Sequence, residues 1–315
     1  MTPSLRTRGL LCGLAATLMW ASVYPASRFL FGREAENFDE WFVAWLRNAV
    51  AVLFLLPFAC RKNNLLQMKS SRRGDWKIFL LLALCAAAED LLLFVSLKYT
   101  TAARASVMAN TSPIFTVLFA FFLLKEPLTR QKISGALLGF AGIVFAFFVR
   151  GGDVFSSGAS LFGGDLLALF SGVVWALFTV AGNEVAEKYD GLFTVAVMRF
   201  FGLFLLIPVL IVFKSPVSFD LPLLVWIGIV YLGCGPSGLA VGLWRQALKY
   251  LPAGELGAFG YVSALSAVVF SVIFLGEKVT WGFAAAAALI ISGVSLMLRR
   301  GGEGTPAPAS RSGNG

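Results

Sequence analysis

Apolar residues occur along this chain in runs of about 20, separated by short polar stretches. A run of that length is what a helix needs to cross the hydrocarbon core of a bilayer. The runs lack strict alternation, and a spanning backbone must satisfy its own hydrogen bonds, so helices are expected and not barrel strands. The pattern predicts ten membrane-spanning helices, at about residues 9–31, 41–60, 76–97, 103–124, 131–149, 164–186, 192–213, 222–248, 254–275 and 281–298.

The pattern also repeats within the chain, because the stretch 97–143 returns 151 positions later. The matched residues are Leu97-Lys98-Tyr99 with Leu248-Lys249-Tyr250, Glu126 with Glu277, Thr129 with Thr280 and Gly142 with Gly293. A long internal repeat indicates a fold built from two copies of one unit. Each copy holds five spans, an odd number, so the second copy is predicted to be inverted, as in many secondary transporters.

The predicted fold class is therefore an all-α polytopic membrane protein with two inverted-topology five-helix repeats. The repeats cover residues 9–149 and 164–298, and the segment 299–315, rich in Gly, Pro, Ala and Ser, is predicted to be a disordered cytoplasmic tail. Lysines and arginines concentrate in the segments on one side of the predicted membrane. The positive-inside rule then places both termini in the cytoplasm of a multi-pass protein of the cell inner membrane.

Composition supports this class and excludes others. The chain is 58% hydrophobic and only 14% charged, whereas soluble domains are about a quarter charged. The net charge of +9 lies mostly at span ends, which argues against nucleic acid as a partner. The four cysteines have no metal-site spacing, histidine is absent and no nucleotide-binding loop occurs. We therefore expect no cofactor, no metal and no ATP-driven step, with a small-molecule substrate and the bilayer as partners of a monomer or weak homo-oligomer.

Ionisable residues inside the predicted spans are the first candidates for function, because each costs several kcal/mol there. At 1.5 Å per helical residue, Arg47 and the pair Glu89-Asp90 lie at matching depths of about 10 Å. The sequence predicts that Arg47 pairs with one of these acids. Adjacent helical residues point about 100° apart, so the other acid could face a cavity and carry protons. An ion pair that only positions two helices is the alternative.

Arg199 and Arg245 lie in spans without a matching acid. They could meet a substrate carboxylate or phosphate, or instead reach Glu184, lipid headgroups or backbone carbonyls. Aromatic and polar residues that share helix faces or lie at mid-depth complete the predicted substrate site: Trp20, Tyr24, Asn110, Trp175, Thr179, Asn183 and Tyr261. The cluster Gly233–Gly238, with Pro236, predicts a kink or break in the eighth span.

In these features the chain resembles the EamA family of the drug/metabolite transporter superfamily. The resemblance is carried by Trp20, Ala44-Trp45-Leu46-Arg47, Leu97-Lys98-Tyr99, Lys125-Glu126-Pro127-Leu128-Thr129, and in the second copy Trp175, Leu248-Lys249-Tyr250 and Gly276-Glu277-Lys278-Val279-Thr280. It implies ten helices in an inverted repeat and a central cavity lined mainly by helices 1, 3, 4, 6, 8 and 9. It also implies export of amino acids or other small metabolites by a secondary mechanism.

We therefore expect a secondary active transporter, not an enzyme, that exports amino acids or related zwitterionic or anionic compounds. Coupling to protons is one option. The mixture of acidic and basic residues inside the spans favours a zwitterion or an anion over a simple cation. The alternatives are a multidrug or cation efflux carrier and an intramembrane enzyme that uses Glu89 and Asp90.

Overall fold

The structure is a computed structural model that describes residues 3–23, 26, 39–69, 71–149, 159–275 and 281–299. The described residues form helices and no strands. In chain order the helices are α1 Pro3–Ala21, α2 Glu40–Ala59, α3 Lys62–Lys69, α4 Arg73–Ser96, α5 Ala102–Ala109, α6 Ser112–Leu124, α7 Arg130–Val149, α8 Ala159–Ala181, α9 Asn183–Lys188, α10 Gly191–Val212, α11 Leu223–Leu232, a π-helical segment Gly233–Ala240, α12 Val241–Ala247, α13 Ala253–Gly257, α14 Phe259–Leu275 and α15 Trp281–Leu298.

Within this part of the chain, seven segments are long and apolar enough to cross a bilayer. They are Trp41–Ala59, Arg73–Ser96, Arg104–Leu124, Arg130–Val149, Phe162–Lys188, Gly191–Val212 and Leu223–Ala247. Many large apolar side chains on these segments are exposed, Phe122 and Ile211 among them. Such outward-facing apolar surface fits lipid tails, so the chain is an all-α, multi-pass membrane protein.

Four of the predicted spans are interrupted among the described residues: 222–248 at the π-helical segment, 103–124 at Asn110 and Thr111, 164–186 at Gly182 and 254–275 at Ala258. The helix through 222–248 widens into the π-helical segment at the predicted place, because Pro236 lacks the N–H that a regular helix would use. The span predicted at 103–124 was expected to be continuous, but it breaks at Asn110 and Thr111, between α5 and α6. The cause is Pro113, which is tolerated only in the first turn of a new helix.

Glycines bring α7 and α15 into close contact. A Cβ atom built on Gly135 would lie 2.6 Å from the carbonyl oxygen of Gly293, and one on Gly293 would lie 2.5 Å from the backbone nitrogen of Gly139. Gly142, the repeat mate of Gly293, approaches Ile290 and Ala286 in the same way. These small residues, four positions apart in Gly135 and Gly139, let the two backbones touch.

Contacts between the two halves of the chain also follow the repeat. Gly142 contacts Ala286 and Ile290, whereas Gly293 contacts Gly135 and Gly139. Ala286 and Ile290 lie 151 positions after Gly135 and Gly139, so the two sets of contacts are equivalent in the repeat. Asn48 of α2 and Arg199 of α10, which are 151 positions apart, hydrogen-bond to each other. Sequence-equivalent helices therefore pack against one another at equivalent positions.

Candidate functional site

Three tryptophans from different helices form a central aromatic cluster: Trp20 of α1, Trp175 of α8 and Trp244 of α12. The Trp20 ring centroid lies 5.1 Å from that of Trp175 and 5.2 Å from that of Trp244. The other two centroids are 6.0 Å apart. Buried Thr179, one helical turn after Trp175, accepts a hydrogen bond from Nε1 of Trp244 at 3.3 Å. The structure thus brings Trp20, Trp175 and Thr179 together as predicted and adds Trp244.

The π-helical segment connects this aromatic cluster to charged residues. Nε1 of Trp20 donates to the carbonyl oxygen of Pro236 at 3.0 Å. Nε of Arg199 donates to the next carbonyl, that of Ser237, at 3.2 Å. A carbonyl oxygen has two lone pairs, and the irregular helix presents these carbonyls to side chains of α1 and α10. The indole of Trp20 and the guanidinium of Arg199 thus bind adjacent backbone carbonyls in the middle of one span.

Arg47, Asn48, Asp90 and Arg199 form a charged cluster between α2, α4 and α10. Nη2 of Arg47 lies 3.0 Å from Oδ2 of Asp90, so the predicted ion pair is confirmed, with Asp90 as the acid. Nη1 of Arg199 donates to Oδ1 of Asn48 at 3.4 Å, and Nδ2 of Asn48 donates to the carbonyl of Arg199 at 3.0 Å.

The charged cluster lines a small cavity whose other walls are the side chains of Ala44, Ala83, Ala86, Ala87, Met198 and Leu206, together with Gly202. Its volume of about 10 Å³ has room for roughly one water-sized group. Nε of Arg47 is buried there without a hydrogen-bond partner among the described residues. In this conformation the cavity is too small for an amino acid, but it can hold one water-sized group that carries a proton.

Glu89 differs from its neighbour Asp90. Its side chain is half-buried, and within the described part of the chain it has neither a hydrogen-bond nor an ion-pair partner. The two adjacent acids therefore have different surroundings, as their angular separation on a helix predicts.

Arg245 is fully buried beside the aromatic cluster. Its Nη1 and Nη2 each donate to the carbonyl oxygen of Phe178 at 3.0 Å. Its guanidinium carbon lies 3.8 Å from the centroid of the Phe178 ring. Of the partners considered from the sequence, a backbone carbonyl is the one that the structure shows. Glu184, the acid considered for Arg199 and Arg245, pairs instead with Lys188 at 3.3 Å.

Three other predicted substrate-binding residues, Tyr261, Asn110 and Asn183, make no hydrogen bond or ring contact with the aromatic cluster among the described residues. The Tyr261 hydroxyl is buried and donates to the carbonyl of Ala136 at 2.8 Å. Nδ2 of Asn110 donates to the carbonyl of Ser106 at 2.7 Å, at the break between α5 and α6. Asn183 is half-buried at the start of α9. Tyr24 lies outside the described residues.

Two buried ion pairs at helix ends were not recognised in the sequence. Arg104, at the start of α5, makes a bidentate contact with Asp165 of α8. Thr100 Oγ1 donates to the same carboxylate at 2.7 Å. Arg6 of α1 lies 2.8 Å from the carboxylate of Glu255 in α13. The repeat contained the signal, because Arg104 and Glu255 are 151 positions apart.

A third contact at helix ends joins α4 to the last residue of α9 and the residue that follows it. The buried carboxylate of Asp75 accepts hydrogen bonds from Lys188 Nζ and the Tyr189 hydroxyl, each at 2.8 Å. Burial, followed by the hydrogen bond to Asp75, raises the pKa of Tyr189 to about 12. The phenol therefore remains a donor at neutral pH.

A multi-pass helical protein with buried charges and a central aromatic cluster has the features of a membrane transporter. The model of the EamA-like transporter family matches residues 7–148 and again 162–299. The chain therefore belongs to the EamA-like transporter family, and the resemblance seen in the sequence is confirmed.

Named relatives agree on the class of protein. Over 264 residues, 83% of this chain and 88% of the relative, it is 30% identical to an uncharacterized transporter of Archaeoglobus fulgidus. Over 206 residues, 64% of this chain and 69% of the relative, it is 28% identical to the aromatic amino acid exporter YddG of Ancylobacter novellus. A solved crystal structure with 24% sequence identity superposes with a TM-score of 0.80 and covers 93% of this chain and 96% of the other, which shows a shared fold.

Proposed function

We propose that this transporter exports small zwitterionic or anionic metabolites, amino acids above all, by a secondary active mechanism across the cell inner membrane. The observation that carries the proposal is the junction at Pro236 and Ser237, where Trp20 and Arg199 bind neighbouring carbonyls. A guanidinium suits a substrate carboxylate, and the tryptophans suit an apolar or aromatic side chain. The aromatic amino acid exporter among the relatives favours the same substrate class.

The substrate-binding residues in this proposal are Trp20 and Arg199, which bind the carbonyls of the junction, with Trp175, which packs against Trp20, and Thr179, which accepts a hydrogen bond from Trp244. The guanidinium of Arg245 is bonded to the Phe178 carbonyl and not to the junction, so it would have to release that carbonyl to reach a substrate. Tyr24, Asn110, Asn183 and Tyr261 remain proposed cavity residues, and the hydroxyl of Tyr261 would first have to release Ala136.

We further propose ten membrane crossings in two inverted repeats, with both termini in the cytoplasm. Contacts between helix ends support this topology, in which successive helices cross the membrane in opposite directions. The start of α1 meets the start of α13 and the end of α15, through Arg6, Glu255 and the Leu298 carbonyl. The start of α5 meets the start of α8, through Arg104 and Asp165. These contacts fit two opposite faces joined by ten crossings, and the family model matches each half separately.

In this proposal Glu89 and Asp90 couple export to protons. Asp90 is held by Arg47, whereas Glu89 has no such partner in the described structure. A carboxylate that no cation contacts directly is the more easily protonated of the two. A carrier that lacks histidine needs such a group for proton transfer.

A counterflow screen in proteoliposomes tests the proposal with labelled amino acids, carboxylates, nucleosides and organic cations. We expect amino acids to exchange saturably and Arg199→Ala to abolish the exchange. Arg130→Ala, which removes an exposed arginine at the start of α7, is the matched control and is expected to leave it unchanged. The proposed substrate class would be wrong if cations alone exchanged and Arg199→Ala had no effect.

A second candidate, efflux of cationic compounds, is favoured by Glu89. An unpaired carboxylate in a membrane can neutralise a lipophilic cation beside aromatic rings. In that case Glu89→Gln would abolish exchange of a cation such as tetraphenylphosphonium in the same assay, whereas amino acids would not exchange.

A further inference from the structure

We propose that the ion pairs Arg6–Glu255 and Arg104–Asp165 are two latches that close opposite ends of the transport path and open in alternation. The inference rests on the proposed function, because only a carrier must close one end while the other is open. We call Arg6–Glu255 the first latch and Arg104–Asp165 the second latch.

The repeat relates the two latches to each other. Glu255 lies 151 positions after Arg104, so the two residues occupy the same place in the two copies. Arg104 begins the fourth segment of the first copy and pairs with Asp165, near the start of the second copy. Glu255 begins the fourth segment of the second copy and pairs with Arg6, at the start of the first. An ion pair between the fourth segment of one copy and the first helix of the other therefore occurs twice, with the charges exchanged.

Each latch joins the two halves where their backbones are in close contact. Beside the first latch, a Cβ atom on Gly9 would lie 2.8 Å from Cβ of Tyr250. Beside the second, a Cβ atom on Gly164 would lie 2.7 Å from the backbone nitrogen of Thr100. Tyr250 is the last residue of the second Leu-Lys-Tyr sequence, and Thr100 directly follows the first one. In each copy this sequence lies at the end of the third span. The repeated motif thus provides the surface against which the first helix of the other copy closes.

Burial makes each latch a two-state element. The side chains of the second latch are only 7% and 11% exposed, and those of the first are 18% and 11% exposed. Separating either pair exposes two charges to water, so each joint is either closed and paired or open and hydrated. Both latches are closed in this structure, which corresponds to a carrier closed at both ends. Removing the charge from one latch should shift the population toward the state open at that end alone.

Labelling of single cysteines by a polar maleimide tests the latches in detergent-solubilised protein, where the reagent reaches both ends. Ala105 and Leu256 are repeat mates next to the latch residues, and they are 1% and 0% exposed. Each is replaced by cysteine in a chain whose Cys12, Cys60, Cys85 and Cys234 are changed to serine. We expect Glu255→Gln to raise labelling of Leu256→Cys by about tenfold or more and not to raise labelling of Ala105→Cys. Asp165→Asn should do the reverse.

The charge-exchanged double variant Arg6→Glu with Glu255→Arg is the control for the first latch. It restores an ion pair, so labelling of Leu256→Cys should fall back toward the level of the unmodified latch. Equal increases at both cysteines would overturn the proposal, because they would indicate a loosened fold. Unchanged labelling in both variants would overturn it too, because the pairs would then not control access. The assay uses no substrate, so its outcome is independent of whether amino acids exchange in counterflow.

Discussion

The contact between Arg245 and Gly182 allows an energetic test of how the transporter holds a buried charge. A Cβ atom on Gly182 would lie 1.4 Å from Nη1 of Arg245. Gly182→Ala must therefore push the guanidinium off the Phe178 carbonyl, to which both Nη atoms are bonded at 3.0 Å. Because Arg245 is fully buried, the displaced charge has no solvent to replace this acceptor.

The magnitude follows from two opposing effects. Loss of hydrogen bonds made by a charged donor costs about 3 kcal/mol in total. Gly182 lies between α8 and α9 with right-handed helical backbone angles, which alanine adopts without strain, so the substitution returns up to about 1 kcal/mol by restricting the unfolded chain. We expect Gly182→Ala to lower the free energy of unfolding by about 2 kcal/mol. Gly163→Ala in α8 is the matched control, because nothing lies within 4 Å of its added Cβ, and it should stabilise the protein.

Reversible unfolding in mixed detergent micelles, followed by tryptophan fluorescence, measures both variants. A double-mutant cycle with Arg245→Ala isolates the contact. In the Arg245→Ala background the added methyl group meets no guanidinium, so Gly182→Ala should become neutral or stabilising. The reasoning is refuted if Gly182→Ala is as stable as Gly163→Ala, or if its cost is unchanged when Arg245 is absent.

Two further predictions concern the charged cluster and the glycine contact. Asp90→Ala leaves Arg47 unpaired in a partly buried site and should destabilise the protein by about 3 kcal/mol, whereas Arg47→Leu with Asp90→Leu should recover most of that stability without recovering transport. Unfolding in mixed micelles and counterflow measure the two effects, and a double variant that transports normally would contradict a role in coupling. Gly135→Val forces α7 and α15 apart at the Gly293 carbonyl and should cost about 1–3 kcal/mol, whereas Gly74→Ala, which has open space around it, should not. Equal midpoints for these two glycine variants in the same assay would contradict the close helix contact.

The sequence was most informative where one physical requirement dominates. Span positions follow from the length of apolar runs, and the seven described spans lie where the hydrophobic pattern predicts them. The partner of Arg47 could be found because helical rise fixes depth, and Glu89 and Asp90 are acids at the depth of Arg47. The break at the π-helical segment followed from a proline among glycines.

The sequence was least informative where the partner is a backbone carbonyl. Arg199, Arg245, Trp20 and Tyr261 all donate to main-chain oxygens of neighbouring helices. Every residue carries such an oxygen, so no residue type marks the acceptor. Polarity alone suggested that Tyr261 faces a cavity, but a carbonyl of α7 satisfies its hydroxyl equally well. The latches were missed for another reason. Arg104 and Glu255 occupy equivalent positions in the two copies, but their charges are opposite, so a search for matching residues does not pair them.

The way in which each buried arginine is neutralised bears on where an anionic substrate group binds. Among the described residues, Arg47 and Arg104 face carboxylates, which compensate their charge. Arg199 and Arg245 donate to carbonyl or amide oxygens, which accept hydrogen bonds but bring no full negative charge. A substrate carboxylate would therefore be stabilised most beside Arg199 or Arg245. Arg199 is the better placed of the two, because it already reaches the junction where Trp20 binds. The same argument speaks against substrate binding by Arg47, since its charge and that of Asp90 already neutralise each other.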